Sequence, residues 1–169
     1  MRKVILYVAS SLDNFIASSD GSVDWLFHDS DYGYTEFINS IDTVLIGRKT
    51  YSQVLEFGEY PYKSKRSFVF TRQNITKDEN VTFVNEKLSE FVRKLKAQNG
   101  KDIWLVGGGE IAKILLNENL VDEIFLSVHP IILGKGIPLF TEINKTLRLK
   151  LLKIETFESG LVQLVYKVL

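Results

Sequence analysis

Three consecutive glycines, Gly107-Gly108-Gly109, separate the apolar run Ile103–Val106 from Glu110, Ile111 and the helical pattern they open. Glycines at such a junction let backbone amides approach an anion, and the helix N-terminus adds unpaired N–H groups and partial positive charge. A diphosphate fits a turn of this kind. The spacing is neither the GxGxxG of a Rossmann fingerprint nor the GK[ST] of a P-loop. Gly47-Arg48-Lys49-Thr50 is a second strand-to-helix junction, placing two cations and a hydroxyl beside another helix N-terminus. Thr71-Arg72, just past the apolar run Ser67–Phe70, forms a third small cluster at a strand end. Each cluster alone also reads as an ordinary solvated loop. Together they match what an extended dinucleotide needs, with Arg48 and Arg72 able to pair with a 2′-phosphate.

The other chemistry-bearing residues are fewer. Ser11-Leu12-Asp13-Asn14-Phe15-Ile16-Ala17 follows the first apolar run, and Asn14 tolerates a left-handed backbone. Trp25 and Phe27 either line a flat pocket for a heteroaromatic ring or plug the domain edge. Of the nearby acids Asp13, Asp24, Asp29, Asp31 and Glu36, one carboxyl beside a ring nitrogen could assist protonation, and the others are surface charges. With only 2 histidines, His28 and His129, a three-histidine metal site is ruled out and both are expected to be structural or exposed. Lys135-Gly136-Ile137-Pro138 either reaches a substrate phosphate through Lys135 or decorates a turn.

The elements that must position these groups follow from periodicity. Val4–Ala9 is a continuous apolar run, as in a strand buried on both faces, and Ser10–Asp31 reads as one long loop. A helix over 34–41, a strand over 43–46, a short helix over 50–55 and strands over 67–70 and 81–84 follow. Leu88, Phe91, Val92 and Leu95 predict an amphipathic helix ending at Asn99-Gly100. Strand 103–106, the glycine turn and a helix from Ile111 that closes near Asn119 make the next unit. Strand 123–128, a Pro-Gly-punctuated stretch over 130–140 and a hairpin of 149–157 and 161–168 complete the chain. Alternating strands and helices imply an α/β fold, a mostly parallel sheet covered on both faces, with the hairpin adding antiparallel edges.

Length and composition bound the rest. The 169 residues, 45% hydrophobic, suit one domain spanning 1–169. Lys plus Arg and Asp plus Glu balance at 21 each, which leaves no electrostatic footprint for nucleic acid or an anionic membrane. The chain has no cysteine, hence no disulfide framework, thiolate nucleophile or Cys-ligated zinc, and the cytoplasm is the expected compartment. The Val4–Ala9 run is too short for a signal-peptide core, and no window approaches the roughly 20 apolar residues of a membrane span.

Taken together, Ser11–Ala17, Gly47–Thr50, Val106–Gly109, and Val121-Asp122-Glu123 followed by Leu133-Gly134-Lys135-Gly136 resemble the dihydrofolate reductase-like superfamily over nearly the whole chain. The nearer resemblance is to the reductase domain of bifunctional riboflavin-biosynthesis deaminase-reductases. It implies a three-layer fold around a mostly parallel eight-stranded sheet with a C-terminal antiparallel hairpin. It also implies an NADPH-dependent reductase, acting on a CH–OH or CH–NH type group of a planar heterocycle, with NADH ranked behind NADPH. The implied cofactor contacts are Ala9, Gly47, Arg48, Lys49, Thr50, Thr71, Arg72, Val106, Gly107, Gly108, Gly109, Glu110 and Ile111. The implied substrate pocket is lined by Val8, Ala9, Asp13, Trp25 and Asp31, with Lys135 nearby. Asp31, matching a helix-borne acid of dihydrofolate reductases, and Asp13 are the expected catalytic acids. The family often carries a cis bond in its glycine turn, here between Gly107 and Gly108. Asn14 and Glu110 depart from the family's usual glycine and, in some members, arginine. Dihydrofolate reduction and a non-catalytic nucleotide-binding or scaffold role stand as alternatives. Pairing as a homodimer, through an edge strand or a helix face, is also compatible with this branch.

Overall fold

The computed structural model describes residues 1–73 and 78–169. Its chain order is β1 (Val4–Ser11), β2 (Phe15–Ala17), α1 (Tyr34–Ser40), β3 (Ile41–Gly47), α2 (Arg48–Glu56), β4 (Arg66–Phe70) and β5 (Thr82–Val84), followed by α3 (Leu88–Lys96), β6 (Asp102–Gly107), α4 (Gly109–Asn117), β7 (Glu123–His129), β8 (Ile137–Pro138), β9 (Leu149–Thr156) and β10 (Val162–Val168). Eight strands form one sheet in the order β5-β4-β3-β6-β1-β7-β10-β9, and β2 pairs with β8 in a small second sheet. From β5 through β7 the pairings are parallel, while β10 runs antiparallel to both neighbours.

Strand alternation divides the core into two layers. On β1, Val4, Leu6 and Val8 join a cluster with α3 and α4. Ile5 and Tyr7 point the other way, into a cluster with Phe37 of α1 and Tyr51 of α2. The parallel strands are apolar on both faces because helices cover both, which is why Val4–Leu6 and Val44–Ile46 read as unbroken apolar runs. The α/β three-layer expectation holds, and no helix of the described residues is long and apolar enough to cross a membrane.

The main elements fall where periodicity puts them, with two differences. The long loop over Ser10–Asp31 contains a strand: Phe15–Ala17 pairs with Ile137–Pro138, about 120 residues away in the chain. Its pairing depends on Gly136, because a Cβ there would meet the Ala17 carbonyl oxygen at 2.3 Å. Neither partner is longer than three residues, so no periodicity announces them. The second difference is at the glycine turn: no cis peptide bond occurs among the described residues, the Gly107–Gly108 bond included. The turn is made instead by torsions open to glycine, Gly108 lying at φ 104°, ψ 105°. Asn14 does take the left-handed conformation expected of it, at φ 64°.

Candidate active site at the carboxyl ends of the strands

Strand β3 lies between β4 and β6, and the helices that follow β3 and β6 take opposite faces: α2 joins the α1 layer, α4 the α3 layer. A crevice at the carboxyl ends of two such strands is where open α/β sheets bind ligands. Its floor is glycine on both sides. A Cβ on Gly108 would lie 3.1 Å from Gly47 Cα, and one on Gly47 would lie 3.2 Å from Gly108 Cα, so the two turns meet backbone to backbone. A Cβ on Gly107 would touch Thr50 Cγ2 at 3.5 Å. In β6 the pairing with β3 shifts between Leu45 and Ile46, leaving Val106 as an extra residue just before the turn. Bulges of this kind re-aim a chain at the edge of a sheet.

Two nine-residue helices therefore begin at one crevice, and neither has a side chain capping its first amides, because Gly47 and Gly108 occupy the cap positions. A Cβ on Gly109 would meet nothing within 4 Å, so the space before α4 is open. These residues fit a diphosphate: free amides, glycine clearance and two helix dipoles converge. Ile111 is buried beneath the turn and packs against Gly47, whereas Glu110 is exposed. One strand further along, Gly47 is in register with Phe70, which sets Thr71 and Arg72 beside it. The Thr71 N–H donates to the Val84 carbonyl, and its hydroxyl accepts from the Gln73 N–H. The Arg48 guanidinium lies 5.8 Å from the ring centres of both Tyr51 and Phe83, and Lys49 and Arg72 are exposed. The three clusters singled out in the sequence thus line one continuous edge, from β6 through β3 to β4.

On the α1 side of this edge stands an aromatic cluster that the sequence reading missed. Tyr7 and Trp104, two residues before Ala9 and three before Gly107, face the same layer, their rings 6.1 Å apart. Tyr34 lies 6.0 Å from Trp104, and Tyr62 lies 5.1 Å from it. Tyr34 is 37% exposed, Tyr7 and Tyr62 are half-buried and Trp104 is buried, so the outer side of the cluster reaches solvent. Phe37 stacks on Tyr7 at 4.3 Å and forms its base. Burial pushes the Tyr7 and Tyr34 phenols above their ordinary range, and raises Tyr62 further, so these hydroxyls stay protonated. The one signal for this cluster was alternation, which gives Tyr7 and Trp104 a shared face only after β1 and β6 are known to be neighbours.

Several expected pocket residues do something else. Val8 packs into the α3/α4 cluster, since alternation sends it to the face opposite Tyr7 and Ala9. Asp13 is a clamp: its carboxylate accepts from Ser11 Oγ at 2.7 Å, Leu133 N at 3.1 Å and Gly134 N at 2.8 Å. Those bonds, Ser11's first, hold the carboxyl below its ordinary range, so at neutral pH it has no proton to give. Asp31 is not borne on the helix. It precedes α1 and receives the Thr35 hydroxyl at 2.6 Å and the Thr35 N–H at 3.1 Å, satisfying the helix's first turn. Its charge is nonetheless felt at the Tyr7 phenol. Trp25 is half-buried and packs edge-on against His129, ring centres 5.3 Å apart, as a plug of the domain edge. His129 is buried, accepts the Phe27 N–H at 3.2 Å, and is held below its ordinary range by burial. Lys135 is exposed beside the Gly136 close approach.

Fold and site define an open-sheet α/β domain whose candidate ligand crevice lies at a topological switch point. The chain belongs to the family of RibD C-terminal domains, whose family model matches residues 2–163. It is 42% identical to the uncharacterized protein YyaP of Bacillus subtilis (strain 168), over 98% of this chain and 94% of that one. Among solved structures it is similar to a putative riboflavin biosynthesis protein from Shewanella sp. PV-4, with 30% identity, a TM-score of 0.88 and 99% of both chains covered. The fold is also that of a Thermotoga maritima diaminohydroxyphosphoribosylaminopyrimidine deaminase/5-amino-6-(5-phosphoribosylamino)uracil reductase. There the TM-score is 0.76 at 18% identity, covering 99% of this chain and 57% of that longer one. The resemblance read from the sequence holds at the level of family and fold.

Proposed function

We propose that this chain is an NADPH-dependent reductase of a planar, pyrimidine-like heterocycle. The observation that carries the reading is the backbone contact between Gly47 and Gly108, which brings two uncapped helix N-termini to one crevice beside the aromatic cluster. Gly107–Gly109 and the start of α4 hold the diphosphate, and Arg48 with Arg72 faces the 2′-phosphate that separates NADPH from NADH. When bound, the cofactor supplies the hydride. The protein's own work is to orient the two rings and exclude water between them. Tyr34 and Tyr62, packed on the buried Trp104, offer partly exposed rings for a heteroaromatic ligand, and the Tyr7 phenol offers a hydroxyl in the same cluster. The relatives' names support a pyrimidine as the first substrate to try. A cysteine-free enzyme using reduced nicotinamide suits the cytoplasm.

The test is a titration with NADPH and NADH followed by nicotinamide fluorescence, then a screen of aminopyrimidines and dihydrofolate for NADPH oxidation. NADPH bound more tightly than NADH, with turnover of an aminopyrimidine, is the expected result. Turnover of dihydrofolate alone would replace the substrate class. Binding without turnover of any acceptor would move the chain to a nucleotide-binding role, and failure to bind either nucleotide would end the reductase reading.

A further inference from the structure

Gln163 of β10 lies opposite Ser127 of β7, and Ser127 lies in register with Ala9 of β1. Alternation turns these side chains to the face that carries Tyr7, so three adjacent strands bring one amide and two hydroxyls together. Gln163 and Ser127 are only 7% and 6% exposed, and polar groups buried that deeply cost stability unless they are matched. The Gln163 amide is matched on one side. Its Nε2 donates to the Tyr32 carbonyl and to Ser127 Oγ, each at 3.2 Å, and reaches the Tyr7 hydroxyl at 3.5 Å. A carbonyl only accepts, so Tyr32 fixes the amide with its nitrogen inward. Oε1 accepts no hydrogen bond from the described residues. It faces Gly33, where a Cβ would lie 3.9 Å from it and, beyond the chain neighbours, would meet no other atom within 4 Å.

The Tyr7 phenol supplies the complementary half. Burial keeps it protonated, while Gln163 and Ser127 both act on its oxygen as donors. With that oxygen accepting from inside, the phenol proton is left to donate outward. One open acceptor and one open donor therefore flank a single amide, which is the complement of a cyclic lactam edge, where an N–H adjoins a C=O. The Asp31 charge reaches the phenol and so favours a neutral edge over an anionic one. We infer that Gln163 Oε1 and the Tyr7 hydroxyl read a lactam edge of the ligand ring, with Ser127 positioning the phenol. Tyr34, whose ring centre lies 6.3 Å from that of Tyr7, stands beside them as a flat wall. The assignment rests on the reading of the chain as a heterocycle reductase and names the groups that select the heterocycle.

The probes are uracil, which carries lactam edges, and 1,3-dimethyluracil, which keeps the ring and its carbonyls but has no N–H. Binding of each to the full chain is titrated into the millimolar range by ligand-observed NMR, with and without NADP⁺, and NADPH affinity is followed separately by nicotinamide fluorescence. Uracil is expected to bind about ten-fold more tightly than the dimethylated ring. Gln163→Leu removes the acceptor that the N–H needs and should bring the ratio close to one. A merely loosened pocket would weaken both probes alike. Tyr7→Phe should weaken uracil several-fold and preserve the preference, because both probes keep the carbonyl. Thermal melts check folding, and Gln163→Met, closer in shape, replaces Gln163→Leu if the latter does not fold. Failure of uracil to bind, equal binding of the two probes, a preference that survives the Gln163 change, or uracil affinity unmoved by Tyr7→Phe overturns the inference. NADPH binding in any of those cases leaves the crevice reading standing. Selective uracil binding without nucleotide binding would keep the edge-reading pair and end the reductase reading.

Discussion

At Gly109 and Gly108, adjacent residues with the same side chain have opposite tolerances. A Cβ on Gly108 strikes Gly47 and the residue sits at φ 104°, so Gly108→Ala strains the turn as well as the crevice. Gly109 has open space and is the first residue of α4, where a carboxylate favours the helix dipole. Gly109→Asp should therefore leave urea stability unchanged or slightly raised while lowering NADPH affinity at least ten-fold, because it places a negative charge where the diphosphate sits. An unchanged Kd in the fluorescence titration would remove the diphosphate from this turn. His129 makes a second prediction at this scale. Its folded pKa is depressed by burial, so between that value and the unfolded value of about 6.5 the unfolded chain binds more protons. Stability contributed by neutral His129 is present above that window and falls as pH drops through it. Its Nε2 must also remain an acceptor for Phe27 N–H. Urea midpoints at pH 7.5 and 5.5 should separate more in the unaltered protein than in His129→Gln.

At the scale of elements, the site depends on how β1, β3 and β6 are held side by side at their opposite, amino-terminal ends. Arg2 is buried just before β1, donating to the Lys101 carbonyl, to Asp42 and to Thr43 Oγ1 at 2.7 Å, and Asp42 also accepts the Lys101 N–H at 2.8 Å. One guanidinium thus ties the starts of three adjacent strands. Asp42→Ala leaves that buried cation without its carboxylate and should cost about 2–3 kcal/mol in urea unfolding, less than for a fully buried pair because Asp42 is partly exposed. On the other layer, Leu115 of α4 is fully buried, and Leu115→Ala should cost about 2–5 kcal/mol. Both changes act at a distance from the crevice. Cofactor affinity measured well below the unfolding midpoint should stay within a few-fold of the unaltered protein.

For the whole molecule, the crevice and the aromatic cluster lie on one continuous sheet, so occupancy at the crevice should stabilise the fold. NADPH at about 100 times its Kd should add about 2.7 kcal/mol, a rise in Tm of about 5–10 °C that Gly109→Asp loses. A Tm indifferent to NADPH in the unaltered chain would contradict binding to the folded state. The aromatic cluster also sets up an optical readout: Trp104 lies among Tyr7, Tyr34 and Tyr62, and a heterocycle binding against its partly exposed tyrosines should quench its emission. Trp25, against His129 at the domain edge, should respond less, so Trp104→Phe should abolish most of the quench.

The sequence by itself determined the alternation of strands and helices, the terminal hairpin, the two glycine junctions and the left-handed turn at Asn14. These depend on neighbours within a few residues, where periodicity and backbone permissiveness act directly. It also marked Gly47–Thr50, Thr71-Arg72 and Gly107–Ile111 as one set, because each lies at a strand's carboxyl end. What it left open required knowing which distant residues are neighbours. Two-residue β8 finds β2 only through the Gly136 approach, and Gly47 meets Gly108 only because β3 and β6 lie side by side. Asp13 and Asp31 looked alike as acids in a loop, but one clamps the 133–134 turn and the other caps α1, roles fixed by partners across the fold. Tyr7, Tyr34, Tyr62 and Trp104 come from four separate segments, and only sheet order and face convert them from scattered aromatics into one cluster beside the crevice.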